Sequence, residues 1–137
     1  MTRTRWASSV EVAAAARRWS LEMIHAAGSG HPGGCLSAAD LLTYLFCAEM
    51  NYDPQRPDWP WRDRFVLSKG HACPALYAIA AKVGIIAPEQ MREFRKIGGR
   101  LQGHPHVLDT PWVETSTGSL GQGFSVAVGM AIGLRYR

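Results

Sequence analysis

The sequence predicts an α/β chain that is mostly helical, with one or two short strands belonging to what would be a parallel sheet. Three observations predict it. Apolar residues recur at helical spacing in segment after segment. Only residues 65–68, "FVLS", have the continuous apolar character of a short buried strand. Glycine and proline punctuate nearly every junction between these segments.

The elements follow in order. Residues 9–27 are Ala-rich, Ser8 and Glu11 have the spacing of a capping box, and Leu21, Ile24 and Ala27 share one face. Gly28 then suits a left-handed helix stop. A second helix is expected over 37–50, capped by Ser37 with Asp40 three residues on. Its Leu41, Leu42, Leu45, Phe46 and Ala48 cover most of the circumference, as in a helix buried on several sides. The Pro- and Trp-rich stretch 51–64 reads as an ordered surface loop. After the strand at 65–68, "KGHACP" turns into a third helix through Leu76, Tyr77 and Ile79. A fourth helix starts at Pro88 with Glu89 in its first turn and ends with Arg95 and Lys96 before Gly98, favourable charge placement at both ends. Residues 98–123 lack helical periodicity, and a loop of that length inside a compact domain usually carries function. The last helix, from about Phe124, repeats small residues at Ser125, Gly129 and Gly133, a ridge that permits close helix approach. It reads as a buried helix.

A chain of 137 residues is the size of one domain, and 47% hydrophobic with 19% charged residues is an ordinary globular composition. Fifteen basic residues against 11 acidic ones leave a net charge of +4. No Lys/Arg run carries interleaved aromatics, so an anionic small ligand suits this charge and nucleic acid is not expected. Residues 116–134 are uncharged, but their sustained apolar part, 124–134, is too short to span a membrane. Cys35, Cys47 and Cys73 form no C-x-x-C pair and read as buried thiols in a reducing, cytoplasmic setting.

The stretch 28–34, "GSGHPGG", spells G-x-G-x-x-G, yet a helix precedes it where a dinucleotide fingerprint needs a strand. Asp53 lies at the distance of a ribose-binding acid but in the turn "NYDP". The loop therefore calls for another ligand. Three of the five histidines directly follow a glycine: His31, His71 and His104. Glycine lets backbone approach a ligand closely, and the first two pairs lead into helix starts, whose free N–H groups favour anions. Lys69 adds positive charge. A phosphorylated ligand fits, with imidazoles able to move protons near neutral pH. A rival is a metal-dependent enzyme using His104 and His106 as a His-x-His pair, although Pro105 between them disfavours a regular strand. A second rival is a helix-docking interaction module, or a fragment without catalysis, built on the Gly129/Gly133 ridge.

"SGHPGG", "LSAADLL", "RDRFVLSKGHACPALYA", "EFRKIGG", "QGHPH" and "VETSTGSLGQGFSVAVGMAIG" together resemble the transketolase N-terminus, in its order and approximate spacing, over roughly residues 6–137. The wording "LSKGHACPALYA" and "STGSLGQG" is most similar to the N-terminal subunit of split transketolases. The resemblance implies the N-terminal part of a thiamine-diphosphate-binding fold and a transferase that moves a two-carbon ketol unit (glycolaldehyde) from a ketose phosphate to an aldose, as in the pentose phosphate pathway. The implied cofactors are thiamine diphosphate and Mg2+. His31 and His71 match histidines that line the cofactor channel and contact diphosphate and substrate oxygens. His104 matches one near the donor hydroxyls, Gly118 and Leu120 match the loop against the cofactor rings, and Arg95 matches an arginine that holds the sugar phosphate. The implied catalytic set is thus His31, His71 and His104.

The sequence departs from the family at "QGHPH", where His106 stands in place of a common carboxylate near the donor site. The family's metal motif, Gly-Asp-Gly followed by Asn, does not occur within residues 1–137, so no metal ligand is expected in this chain. Residues 1–137 thus read as an incomplete diphosphate-binding domain, inactive alone and truncated before the metal motif. Such a domain would work with a pyrimidine-domain chain or a C-terminal continuation, in a homo- or hetero-oligomer.

Overall fold

A computed structural model describes residues 9–136. The elements are α1 (Ser9–Ala27), α2 (Pro32–Tyr44, prolonged by a π turn over Leu45–Glu49), a 3-10 turn (Gly70–Ala72) leading directly into α3 (Cys73–Lys82), a 3-10 segment (Pro88–Glu93) and α4 (Gln122–Arg135). The expected cap at Ser8 lies outside the described residues.

The core forms where α3 packs against α1 and α2. Every residue from Cys73 to Ala81 is buried, with Ala75, Ala78, Ala80 and Ala81 set around Leu76, Tyr77 and Ile79. Small side chains let helix axes approach closely. The face that α1 offers is Val12, Ala13, Ala16, Ser20 and Met23, spaced three and four apart. Leu21, expected on the buried face, is instead exposed, and Ser20 is buried because its hydroxyl donates to the Ala16 carbonyl at 2.6 Å. Phe94, Leu101 and Val113 close the core, and Phe94 and Trp112 both meet the Tyr77 ring edge-on.

Several expectations are corrected. Helix α2 starts at Pro32 rather than Ser37, because proline at the first helical position needs no N–H partner and presets the helical φ. Ser37 lies inside the helix, its hydroxyl donating to the Gly34 carbonyl at 3.1 Å. The helix is not buried on several sides, since Leu41 and Tyr44 are exposed. Residues 65–68 form no strand, and the described residues contain none at all. A strand needs a neighbouring strand, and here the Leu67 carbonyl accepts from the Thr117 hydroxyl at 2.8 Å. The α/β expectation thus becomes an all-helical arrangement. The fourth helix shrinks to a 3-10 segment ending at Glu93, because Phe94 leaves helical geometry to enter the core and Arg95 adopts φ +55°. Arg95 and Lys96 therefore do not cap a helix end. Finally, α4 is not buried: Phe124, Val128, Ile132 and Leu134 are exposed, and open space faces Gly129 and Gly133. Gly28 does take the left-handed conformation, with φ +63°, directly after α1.

Candidate active site

Three loops bring the Gly-His pairs together. His31 occupies the position just before α2, His71 sits inside the 3-10 turn at the start of α3, and His104 lies in the long loop before α4. The His31 and His71 rings meet edge to face, 5.3 Å between centroids and 72° between planes. A Cβ on Gly34 would come within 3.1 Å of the His71 ring, so any larger residue in the first turn of α2 would require the ring to shift. Gly70 is equally confined, with the Thr117 carbonyl 2.6 Å from where its Cβ would stand. The Gly70 contact explains the glycine before His71; before His31, a Cβ on Gly30 would stand 2.6 Å from the Ile24 side chain, with φ at +157°.

His104 joins the pair electrostatically. Its pKa is held below the ordinary histidine value, first by burial and then by the charges of Arg95, His31 and His71. A neutral imidazole is thus favoured near pH 7, able to accept a proton as well as donate one. Arg95 reaches this cluster by an unusual route. Its left-handed backbone costs about 1 kcal/mol for a residue with a Cβ. The main-chain N–H donates to the Leu101 carbonyl at 2.9 Å, and Nη1 donates to the Ser29 hydroxyl at 2.6 Å. The guanidinium lies so close to Gly103 that a Cβ there would stand 2.7 Å from Nε. Arg95 therefore links the loop before His31 to the loop before His104. Local pattern does not single out Ser29; its place within "GSGHPGG" is the one signal the sequence offers for it.

Gly118 faces the His104 ring, where a Cβ would sit in ordinary contact at 3.5 Å from Cδ2. Leu120, two residues on, is exposed. The loop carrying both is anchored by Thr117, whose N–H donates to the Pro105 carbonyl at 3.3 Å, and by the Phe124 N–H, which donates to the Ser68 hydroxyl at 3.0 Å. Nothing in the local sequence marks Thr117 as such an anchor, because its partner is fifty residues away.

His106 does not join the cluster. Its Nδ1 lies 2.7 Å from Asp109 Oδ2, and its carbonyl accepts from the Thr110 hydroxyl at 2.8 Å, which builds a local turn. Among the described residues no three His, Cys, Asp or Glu side chains gather as metal ligands, so the His104/His106 metal reading gains no support. Cys73, buried with its thiol donating to the Gln102 carbonyl, has its thiol pKa pushed up to about 12 mainly by burial, which makes it inert as a nucleophile at neutral pH. An apolar groove lined by Phe46, Tyr52, Phe65, Trp112 and Val113 includes none of the three Gly-His histidines.

A pH titration checks the electrostatics. His104 ring resonances are expected to titrate below those of an unstructured histidine, and Arg95→Met is expected to move the midpoint upward. Because the folded pKa is the lower one, His104 contributes stability above its unfolded pKa and loses it as pH falls through the folded value. An unchanged midpoint in Arg95→Met would remove Arg95 from the cluster.

Comparison with known proteins gives a single answer. Residues 8–136 match the family model described as transketolase, thiamine diphosphate binding domain. The chain is 48% identical to Homo sapiens transketolase over 117 residues, which is 85% of this chain and 19% of that protein. It is 42% identical to Cereibacter sphaeroides transketolase over 133 residues, 96% of this chain and 20% of that one. Transketolase from Leishmania mexicana superposes with a TM-score of 0.88 at 41% identity, covering 92% of this chain and 19% of that one. A Pichia stipitis transketolase complexed with sedoheptulose-7-phosphate gives 0.86 at 39% identity, covering 90% of this chain and 19% of that one. The chain thus spans about a fifth of the length of these relatives.

Proposed function

The chain belongs to the transketolase family, and on that footing we propose that it forms the diphosphate-holding part of an enzyme transferring a two-carbon ketol unit between sugar phosphates. The observation that carries the reading is the convergence of His31, His71 and Arg95 around His104, with Gly118 against its ring. Gly118 lies against the His104 ring, and the surrounding groups are imidazoles and a guanidinium. That donor set fits an anionic, diphosphate-bearing cofactor. Thiamine diphosphate, when bound, supplies the carbon that cleaves the ketose and carries the two-carbon unit.

The residues have separable tasks. His71, half-buried and backed by Gly34, would hold a diphosphate or substrate oxygen and, with His31, relay a proton at a sugar hydroxyl. His104, kept neutral, would accept or donate a proton at a donor hydroxyl. Arg95 would offer its charge to a sugar phosphate. Gly118 would let the cofactor rings lie close to the backbone, with Leu120 as an exposed apolar contact beside them. The domain over 1–137 is incomplete in this reading, and its Mg2+ ligands lie in a continuation or in a pyrimidine-domain partner chain of a homo- or hetero-oligomer. A split-subunit arrangement of the kind the "LSKGHA" wording resembles fits that need. Among the described residues no helix is long and apolar enough to cross a membrane, and a cytoplasmic setting agrees with the free thiols.

Titration of the chain with thiamine diphosphate, with and without Mg2+, tests the reading. Weak binding is expected, at millimolar concentrations, with ring shifts at His31, His71 and His104. No perturbation of these rings would sink the assignment. Micromolar affinity in calorimetry would show that the chain carries its own metal ligands.

A further inference from the structure

We infer that Lys69 is a positioning residue: its ammonium latches the start of α2 to the turn carrying His71 and so sets the contact between the His31 and His71 rings. Lys69 is the last residue before the 3-10 turn, with φ −91° and ψ 72°. Its side chain reaches back to α2, where Nζ donates to the Gly34 carbonyl at 3.1 Å and to the Ser37 hydroxyl at 3.1 Å. Ser37 in turn donates to the same Gly34 carbonyl. The three groups form a closed triangle on the first turns of α2, immediately beyond His31.

The latch acts where there is no slack. Gly34 presses its backbone on the His71 ring, and Gly70 presses on the Thr117 carbonyl. His71 is thus confined from the α2 side while its own turn is confined from the opposite loop. The carbonyl that Lys69 grips belongs to the residue touching the ring. Charged donors make stronger bonds than neutral ones, and Lys69 makes no ion pair among the described residues, so its charge is directed to these two neutral acceptors. Without the latch, the α2 start and the His71 turn would still fold but would separate. The ring geometry, rather than helix content, would change.

The inference rests on geometry and not on the cofactor reading, so a failed thiamine diphosphate titration leaves it intact. The experiment uses the 137-residue chain with labelled histidines, comparing Lys69→Met and Ser37→Ala with the parent by circular dichroism and NMR. Lys69→Met is expected to keep its helix content and lose the cross-peak between the His31 and His71 rings. Ser37→Ala is expected to weaken the cross-peak, because one of two anchors remains. A cross-peak of parental intensity in folded Lys69→Met would overturn the proposal. If Lys69→Met does not fold, a parental cross-peak in Ser37→Ala would overturn it instead, and a weakened cross-peak there would uphold it.

Discussion

Replacing His71 by alanine in a complete enzyme carrying this segment is expected to lower kcat by about 10²–10⁴-fold, the loss that follows removal of a positioned proton-transfer group. The size of the effect comes from the setting. His71 is half-buried and its ring meets His31 edge to face at 5.3 Å, so alanine there removes an imidazole held in place within the cluster. His31→Ala belongs in the same range. Arg95→Ala is expected to act differently, raising KM for phosphorylated donors with less change in kcat, as loss of ground-state binding does. Steady-state kinetics with a ketose phosphate donor and an aldose phosphate acceptor separate these cases. Unchanged constants in all three variants would strip these residues of their assigned roles.

Glu114→Ala should be the most destabilising single charge substitution in the chain, by about 3 kcal/mol, the low end of the cost of breaking a buried ion pair. Glu114 receives Arg62 on one carboxylate oxygen and Arg64 on the other, and Arg62 and Glu114 have side chains only 11% exposed. Removing the carboxylate leaves two guanidinium groups facing each other with backbone carbonyls as their remaining partners: Pro57 and Asp63 for Arg62, and Pro60 for Arg64. Those bonds are why the low end applies. Asp40→Ala provides the contrast. Its partnership with Arg17 is exposed, and an exposed pair contributes less than about 1 kcal/mol. Urea unfolding of the two variants measures the difference, and equal midpoints would show that the Glu114 cluster carries no special weight. The cluster ties the Trp-rich 51–64 loop to the segment that reaches Thr117 and Gly118, so its loss should also loosen the loop facing His104.

Much of the candidate site is legible in the amino-acid sequence. Glycine beside histidine is a statement about local space, and the close approaches at Gly30 and Gly70 give it physical content. How the pairs are held is not legible there. Arg95 has the look of a helix-end charge, because "EFRKIGG" satisfies every local rule for one. It becomes a cross-link to Ser29 only because burying Phe94 against Tyr77 stabilises more than continuing a short helix. His106 has the look of a companion to His104, yet an aspartate three residues away captures its ring.

Local pattern is enough to set the existence of helices through 9–27, within 37–50 and around Leu76, Tyr77 and Ile79, and the left-handed stop at Gly28. Each depends on residues within a turn or two, where capping, proline geometry and apolar spacing act. Packing is what leaves 65–68 outside any strand, keeps the apolar face of α4 open, and makes Lys69, Arg95 and Glu114 join distant loops. A strand, a buried helix face and a buried charge are each completed by a partner remote in the chain. The chain's own pattern shows that such a partner is needed, and only the packed molecule shows which one it is.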